Sequence, residues 1–278
     1  MEPMRQGEPD TPTRRLPFRR KGKGLPLVLV HGFLAGSVIW REQLHAFSAA
    51  HDVICPDLAG FGDSSALTAL DTIEGHARAV LGLMDDLAIS RFDLLGHSMG
   101  GMVVQEMVRL APQRVRNLIL YGTGPQGVLP GRFETIAQSR ERFLRDGVAE
   151  TGARIAATWF LDGKNAKGYE RCRSTSSRVR MQTALASLTA WEGWDGRAAL
   201  TNFRARTLVL WGSRDRSYEW SQPELLWRSI PGADLAVVPG AAHIVHMEKP
   251  RLFNAIVAEF LTMGSIESNC DTSNKPEL

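Results

Sequence analysis

Short runs of hydrophobic residues alternate with longer amphipathic stretches along most of the chain. Several of the short runs, such as residues 27–30, contain no polar position at all. Strands that are apolar on both faces are typical of a parallel sheet covered by helices on both sides. The pattern predicts six strands, at residues 26–30, 52–56, 92–95, 117–121, 207–211 and 234–238.

The stretches between these strands place apolar residues three and four positions apart, as amphipathic helices do. One helix is predicted to begin near Asp71, because Asp71 and Glu74 have the spacing of a capping box. The last helix is predicted to begin at Pro250, since proline is favoured in the first helical turn. Alternating strands and helices predict a doubly wound α/β domain with a mostly parallel sheet.

Residues 129–200 interrupt this alternation. They contain no strong strand pattern, and successive helical patterns cover most of their length. A block of helices inside an α/β alternation indicates an inserted cap. We therefore predict an α/β core at residues 23–128 and 201–264, with a helical cap at residues 129–200.

Charge is distributed unevenly along the 278 residues, whose formal net charge is +3. Residues 1–24 carry a net charge of +4, and residues 265–278 carry a net charge of −2. We predict a flexible basic arm at residues 1–22 and a flexible tail at residues 265–278. A basic arm can touch a polyanion, but no basic face is interleaved with aromatic residues. No nucleic acid partner is therefore expected.

Composition narrows the class of protein further. Hydrophobic residues make up 44% and charged residues 23%, which is ordinary for a globular protein. The three cysteines, Cys55, Cys172 and Cys270, are too few for a disulfide scaffold and fit a reducing compartment. None has the spacing of a metal site, and no apolar run is long enough for a membrane span. We expect a cytoplasmic protein that needs no metal or cofactor and does not bind a membrane.

A Gly-x-Ser-x-Gly pattern, Gly96 to Gly100, stands directly after a predicted strand and directly before a helical pattern. A sharp strand-to-helix turn of this kind exposes a serine hydroxyl above the edge of the sheet. The start of the following helix then lies below the hydroxyl and favours developing negative charge. Ser98 is therefore the candidate nucleophile.

A nucleophilic serine requires donors for the oxyanion and a base. Met99, which follows the serine, and Phe33, in the His31-Gly32-Phe33 turn after the first strand, are expected to supply the two backbone N–H groups. We interpret His31 itself as a structural loop residue.

The base and its partner are expected from the last two strands. Asp215 follows the strand at residues 207–211 through a glycine turn, and His243 follows the strand at residues 234–238. A carboxylate fixes the tautomer of a catalytic histidine and stabilises its imidazolium form. We favour His243 over His246 as the base because sites in open α/β sheets form in the loops directly after the strands.

The chain order Ser98, Asp215, His243 is that of a nucleophile-elbow hydrolase. With these residues, the segments Asp57 to Ser64, Gly212 to Asp215 and Gly240 to His243 resemble the α/β-hydrolase fold superfamily over roughly residues 22–264. The resemblance implies the roles given above and a cap over the pocket. The cap segment from Arg140 to Phe160 is similar to that of the 3-oxoadipate enol-lactonases. The meta-cleavage carbon–carbon hydrolases are similar at the same general level. Relatives that use an aspartate nucleophile are a poor match, because this chain has Ser98 there.

These observations predict a serine hydrolase that cleaves a carboxylic ester or lactone of a small, largely apolar molecule. A carbon–carbon hydrolase of a ketone-containing substrate is one alternative, and a ligand sensor with a slow or vestigial triad is a second. The protein is expected to be a monomer or a homodimer. Candidate pocket walls, besides Phe33 and Met99, are Trp159, Phe160, Trp191 and Trp194.

Overall fold

The computed structural model describes residues 15–266. The strands are β1 (Phe18–Lys21), β2 (Leu25–Val30), β3 (His51–Pro56), β4 (Phe92–His97), β5 (Val115–Tyr121), β6 (Arg206–Gly212) and β7 (Asp234–Val238). The α-helices are α1 (Arg41–Phe47), α2 (Ile73–Asp86), α3 (Met99–Leu110), α4 (Ile136–Thr158), α5 (Tyr169–Ser176), α6 (Met181–Glu192), α7 (Ser221–Ser229), α8 (Val245–Glu248) and α9 (Pro250–Ile266). Short 3-10 turns occur at Ser37–Trp40, Gly62–Ser64, Pro112–Arg114, Gly163–Asn165 and Arg197–Asn202.

The strands form one seven-stranded sheet in the order β1-β3-β2-β4-β5-β6-β7. Strands β2 to β7 pair in parallel, and β1 pairs antiparallel with β3. The chain first builds outward from β2 to β3, then returns to place β4 on the other side of β2. Ligand sites in open α/β sheets form at such a switch point, beyond the carboxyl ends of the strands. The predicted α/β class and all six predicted strands are confirmed, with bounds that differ by at most two residues.

Alternate side chains of the central strands enter two separate hydrophobic cores. Val28 and Val30 pack into one core, and Leu27 and Leu29 pack into the other, on the opposite face of the sheet. This explains why β2 has no polar position, since both of its faces are covered. Helices α4, α5 and α6 lie between β5 and β6 and contribute Phe143, among others, to the first of these cores. The predicted helical insertion is therefore present and packs on the α/β core.

The predicted flexible arm at residues 1–22 is wrong for its final part. Residues Phe18–Lys21 form the edge strand β1, and the register pairs Phe18 with Pro56 and Lys21 with Val53. The segment has no hydrophobic alternation, so its conformation comes from the backbone hydrogen bonds that β3 offers. Two side-chain contacts add to this pairing, from Arg20 to Asp52 and from Arg19 to Ser37. Residues 1–14 lie outside the described residues.

Two helix boundaries also differ from the predictions. The N-cap of α2 is Thr72, whose hydroxyl accepts a hydrogen bond from the N–H of Gly75, and not Asp71. Glu74 instead forms ion pairs with Arg78 and Arg109, so it does not complete a capping box. Helix α9 begins at Pro250, as predicted, but it continues through residues 265–266 of the predicted tail. The rest of that tail lies outside the described residues.

Candidate active site

Ser98 lies at the turn between β4 and α3, as the sequence predicts. Its backbone has φ 56° and ψ −122°, a conformation that residues with a side chain rarely adopt. The turn is held because the Ser98 N–H donates to the Tyr121 carbonyl at 3.0 Å and the Thr123 hydroxyl donates to the Ser98 carbonyl at 2.8 Å. Strain of this kind persists only where the surroundings determine it, and it is common at functional sites.

Glycines around Ser98 let three segments of backbone approach one another. A Cβ on Gly96 would lie 2.3 Å from the Gly100 carbonyl oxygen, and one on Gly100 would lie 2.3 Å from the Val30 carbonyl oxygen. Any larger residue at either position would push α3 away from the sheet. The two glycines of the Gly-x-Ser-x-Gly pattern are thus required by packing.

The imidazole of His243 lies 2.8 Å from the carboxylate of Asp215, measured from Nδ1 to Oδ2. Both side chains are buried, with 2% of the His243 side chain and none of the Asp215 side chain exposed. The second carboxylate oxygen, Oδ1, accepts hydrogen bonds from the N–H groups of Ser217 and Tyr218. Asp215 is therefore fixed by backbone donors on one side and leaves the other side for the imidazole.

Aromatic and histidine side chains pack around His243. The rings of His97 and His243 pack with centroids 4.5 Å apart, and Nε2 of His97 lies 3.1 Å from the His243 carbonyl oxygen. The Tyr121 hydroxyl lies 3.1 Å from the same oxygen and also contacts His246. Burial, with the neighbouring His243, holds the pKa of His97 and of His246 well below the ordinary value. Both rings therefore stay neutral and position the His243 backbone.

The turn after β2 brings Gly32 and Phe33 to Ser98. A Cβ on Gly32 would lie only 2.8 Å from the Cβ of Ser98, so the two backbones meet here. The next residue, Leu34, has φ 56°, which bends the chain sharply after Phe33. His31 is fully buried, with Nε2 accepting a hydrogen bond from the Leu58 N–H, so its ring is a structural part of the loop.

A small cavity of about 20 Å³ lies between the sheet edge and the cap. Its polar lining consists of Ser98, Arg132, Ser217, Tyr218 and His243. Its apolar lining consists of Phe33, Leu129, Phe133, Ile155, Trp159 and Trp191. This volume holds about one water molecule. Any larger molecule therefore reaches Ser98 only after cap side chains move.

Two of the four predicted cap walls line this cavity, and two do not. Trp159 and Trp191 do, whereas the adjacent Phe160 is buried beside Gly168. The two residues follow the end of α4, where the chain turns, and only Trp159 faces the cavity. Trp194 also lies elsewhere, because its indole N–H is directed at Glu106 on α3, 3.4 Å away.

Sequence reasoning missed three polar residues that line the cavity, Arg132, Ser217 and Tyr218. The Tyr218 ring stacks on the His243 ring at 5.6 Å and 14°, with its hydroxyl buried near Ser98. That hydroxyl makes no hydrogen bond within 3.5 Å, and burial raises its pKa. Tyr218 follows Asp215 by only three positions, a signal that marks it as close to the site. Arg132 lies far from every motif in the sequence, and only the folded cap brings it to Ser98.

The cap is attached to the loop that carries His243 by hydrogen bonds. Glu248 accepts from the Leu161 N–H at 2.7 Å and from the Ala242 N–H at 2.6 Å. The Ile244 N–H donates to the carbonyl of Trp159 at 3.2 Å. The end of α4 and the His243 loop are therefore linked both through Glu248 and by a direct backbone hydrogen bond.

No group of three or more His, Cys, Asp or Glu side chains in residues 15–266 is arranged to hold a metal ion. None of the helices there combines the length and apolar character needed to cross a bilayer.

Known proteins share this architecture. The family model for the alpha/beta hydrolase fold matches residues 26–250. The chain is 27% identical to 2-hydroxy-6-oxo-6-phenylhexa-2,4-dienoate hydrolase of Burkholderia cepacia, a match that covers 90% of this chain and 92% of the relative. A thermophilic esterase from Thermogutta terrifontis is similar in structure, with TM-score 0.82, 28% identity and coverage of 90% of this chain and 93% of that one.

A further solved structure has a lower sequence identity to this chain but an equally similar fold. The enol-lactonase from Burkholderia xenovorans LB400 has TM-score 0.81 and 24% identity, covering 89% of this chain and 96% of that one. The family model, the relatives and the strand-turn-helix at Ser98 agree with one another. The chain therefore belongs to the α/β-hydrolase fold family, and its relatives include hydrolases.

Proposed function

We propose that this protein is a serine hydrolase that cleaves a carboxylic ester or lactone of a small molecule through an acyl-enzyme. The observation that carries the proposal is the convergence of Ser98 and the Asp215-bound His243 on one cavity. Ser98 is at a strained turn, and His243 is held by a buried carboxylate. In this proposal Ser98 is the nucleophile, His243 is the general base and Asp215 is the carboxylate that orients the base.

In the proposed mechanism, His243 removes the proton of the Ser98 hydroxyl as the oxygen attacks the substrate carbonyl carbon. Asp215 stabilises the imidazolium that forms and keeps Nδ1 protonated. The same imidazolium then gives its proton to the departing alcohol. A water molecule, deprotonated by His243, hydrolyses the acyl group from Ser98 and regenerates the enzyme.

The oxyanion of each tetrahedral intermediate is assigned to the backbone N–H groups of Phe33 and Met99. Met99 is the first residue of α3, where unpaired N–H groups and the helix dipole favour negative charge. Phe33 follows Gly32, whose missing side chain lets the loop approach Ser98. Each such donor is worth roughly 10²- to 10³-fold in rate.

The apolar lining of the cavity favours an acyl or alcohol group with hydrophobic surface. Phe33 and Trp191 pack edge to face with ring centroids 4.8 Å apart and form one wall. Trp159 forms another wall beside His243, with ring centroids 6.4 Å apart. The site is therefore best matched by a small ester or lactone that carries an apolar group.

The test uses the full chain and its Ser98→Ala variant. Hydrolysis is measured for p-nitrophenyl esters from acetyl to dodecanoyl, for an enol-lactone and for a meta-cleavage dienone. We expect turnover of at least one ester or lactone. The turnover should fall at least 10³-fold in Ser98→Ala. It should be retained in the control Ser187→Ala, which changes a buried serine on α6. A Ser98→Ala variant that keeps normal turnover would refute the proposal.

A carbon–carbon hydrolase is the second candidate. It is favoured by the similarity to 2-hydroxy-6-oxo-6-phenylhexa-2,4-dienoate hydrolases. The same nucleophile, base and oxyanion donors serve both reactions, so fold and family do not separate them. Turnover of the dienone with no turnover of any ester or lactone would select this candidate.

A further inference from the structure

Arg132 is a charged side chain in the cavity that the proposed mechanism does not use. It lines the same cavity of about 20 Å³ as Ser98 and His243. It precedes α4 and is held by hydrogen bonds from Nη1 to the Glu134 carbonyl at 2.7 Å and to the Ser139 hydroxyl at 3.0 Å. Both bonds orient the side chain, and neither acceptor carries a full charge.

The guanidinium of Arg132 has no carboxylate within 4.0 Å among residues 15–266. The nearest acid in sequence, Glu134, is buried and forms ion pairs with Arg142 and Arg154 instead. Glu134 reaches Arg132 only through the Ser139 hydroxyl, which accepts from Arg132 and donates to Glu134. Arg132 is therefore left without a direct ion pair in the part of the chain that the structure describes.

Aromatic rings cover the faces of the Arg132 guanidinium. The guanidinium carbon is 4.4 Å from the centroid of Phe133 and 5.4 Å from that of Trp191. Removal from water lowers the pKa of Arg132, but an arginine stays protonated in proteins. A cation that is desolvated and not paired is costly, and an anion supplied by a ligand would offset that cost.

We propose that Arg132 is a binding residue for a carboxylate on the substrate, so that the preferred ester or lactone is anionic. The inference rests on the proposed hydrolytic function and adds the substrate class. A guanidinium matches a carboxylate with two parallel N–H donors, and Nη1 is already held by protein acceptors. The anionic group would bind beside the Trp191 wall, a few bonds from the carbonyl that Ser98 attacks. The remaining apolar lining would accept the uncharged part of the molecule.

The test compares two methyl esters of equal chain length. Methyl hydrogen glutarate ends in a carboxylate, and methyl pentanoate ends in a methyl group at the same place. We expect kcat/KM to be at least tenfold higher for the glutarate ester with the unaltered chain. Arg132→Met should lower kcat/KM for the glutarate ester roughly 10- to 100-fold, the range for hydrogen bonds to charged groups, and should remove most of the preference for this ester over methyl pentanoate.

Arg173→Met is the matched control, since Arg173 is a cap arginine on the exposed side of α5 and is paired with Glu170. It should leave both esters unchanged. Arg132→Lys keeps the charge but loses the paired donors, so it should recover part of the preference. If Arg132→Met does not fold, inhibition of methyl pentanoate hydrolysis by free glutarate, compared with 1,5-pentanediol, tests the same site in the unaltered chain.

The possible outcomes separate this inference from the proposed function. Three outcomes would overturn the carboxylate site while leaving the hydrolase. They are an equal kcat/KM for both esters, an equal loss of kcat/KM for both esters in Arg132→Met, and equal inhibition by glutarate and 1,5-pentanediol. If neither ester is hydrolysed, calorimetric binding of glutarate to Ser98→Ala decides. Binding that is lost in the Ser98→Ala/Arg132→Met double variant supports the carboxylate site without ester hydrolysis, and an absence of binding refutes it.

Discussion

Gly32 meets Ser98 so closely that a methyl group on Gly32 would lie 2.8 Å from the Cβ of Ser98 and 3.4 Å from its hydroxyl oxygen. The loop that carries the Phe33 N–H and the turn that carries the nucleophile are therefore fixed relative to each other. This contact determines where the oxyanion of an intermediate would lie, and it involves no side chain of Gly32.

Gly32→Ala is expected to lower kcat by about 100-fold, because the added methyl group displaces the Phe33 N–H from the oxyanion. Steady-state kinetics on the best ester measures the loss. Gly82→Ala is the matched control, since Gly82 is on α2 with open space around it. That variant should keep its kcat and gain roughly 1 kcal/mol in helix stability. A Gly32→Ala enzyme with kcat within threefold of normal would contradict this role for the loop.

Ser98 stores backbone strain that a glycine would relieve. At φ 56° and ψ −122°, Ser98→Gly is expected to have a free energy of unfolding about 1 kcal/mol higher than Ser98→Ala, while both are inactive. Urea unfolding measures the difference. The same pair of changes at Ser187, in the middle of α6, should give the opposite order, because glycine weakens a helix. A Ser98→Gly variant that is no more stable than Ser98→Ala would show that the turn is not strained.

Buried histidines make the stability of the fold sensitive to acid. Burial lowers the pKa of His76 from 6.5 to about 4. Between these two pH values the unfolded chain binds a proton that the folded chain does not, so the free energy of unfolding falls as pH falls. At pH 5 the loss from His76 alone is about 2 kcal/mol, at 1.36 kcal/mol per pH unit.

His76→Leu is therefore expected to lose about 2 kcal/mol less stability than the unaltered chain between pH 7.5 and pH 5. Urea unfolding at the two pH values measures this difference. His45→Leu, a change of an exposed histidine on α1, is the control for replacing an imidazole by an alkyl side chain. An unchanged slope in His76→Leu would mean that His76 is protonated in the folded chain.

Glu248 connects the cap to the loop of His243 through two short hydrogen bonds, to the N–H groups of Leu161 and Ala242. Glu248→Gln exchanges one acceptor for a donor and removes the charge. We expect the free energy of unfolding to fall by about 2 kcal/mol and kcat/KM to fall about tenfold. Glu259→Gln, on the exposed face of α9, is the control for lost charge alone. Normal kinetics in Glu248→Gln would show that this link does not position His243.

Hydrophobic runs and glycine turns were sufficient to predict the parallel strands and the positions of Ser98, Asp215 and His243. Each of those residues lies within five positions of the end of a strand, so the sheet itself brings them to one edge. Pocket residues on the cap were predicted less well. Trp159 and Phe160 are neighbours in sequence, but their directions depend on how α4 packs. The position of Arg132 depends on contacts between distant segments, and no local pattern reports it.

The edge strand β1 has a consequence for the solution behaviour of the protein. Arg19, Arg20 and Lys21 place three basic side chains on the outermost strand of the sheet, and the two arginines pair with Asp63 and Asp52. Charged side chains at an open edge discourage a second sheet from adding to it. Strand β3, directly behind it, is buried at every position. A chain shortened to begin at residue 25 would expose that strand, with Asp52 as its one acidic side chain, as the new edge, and we expect it to aggregate.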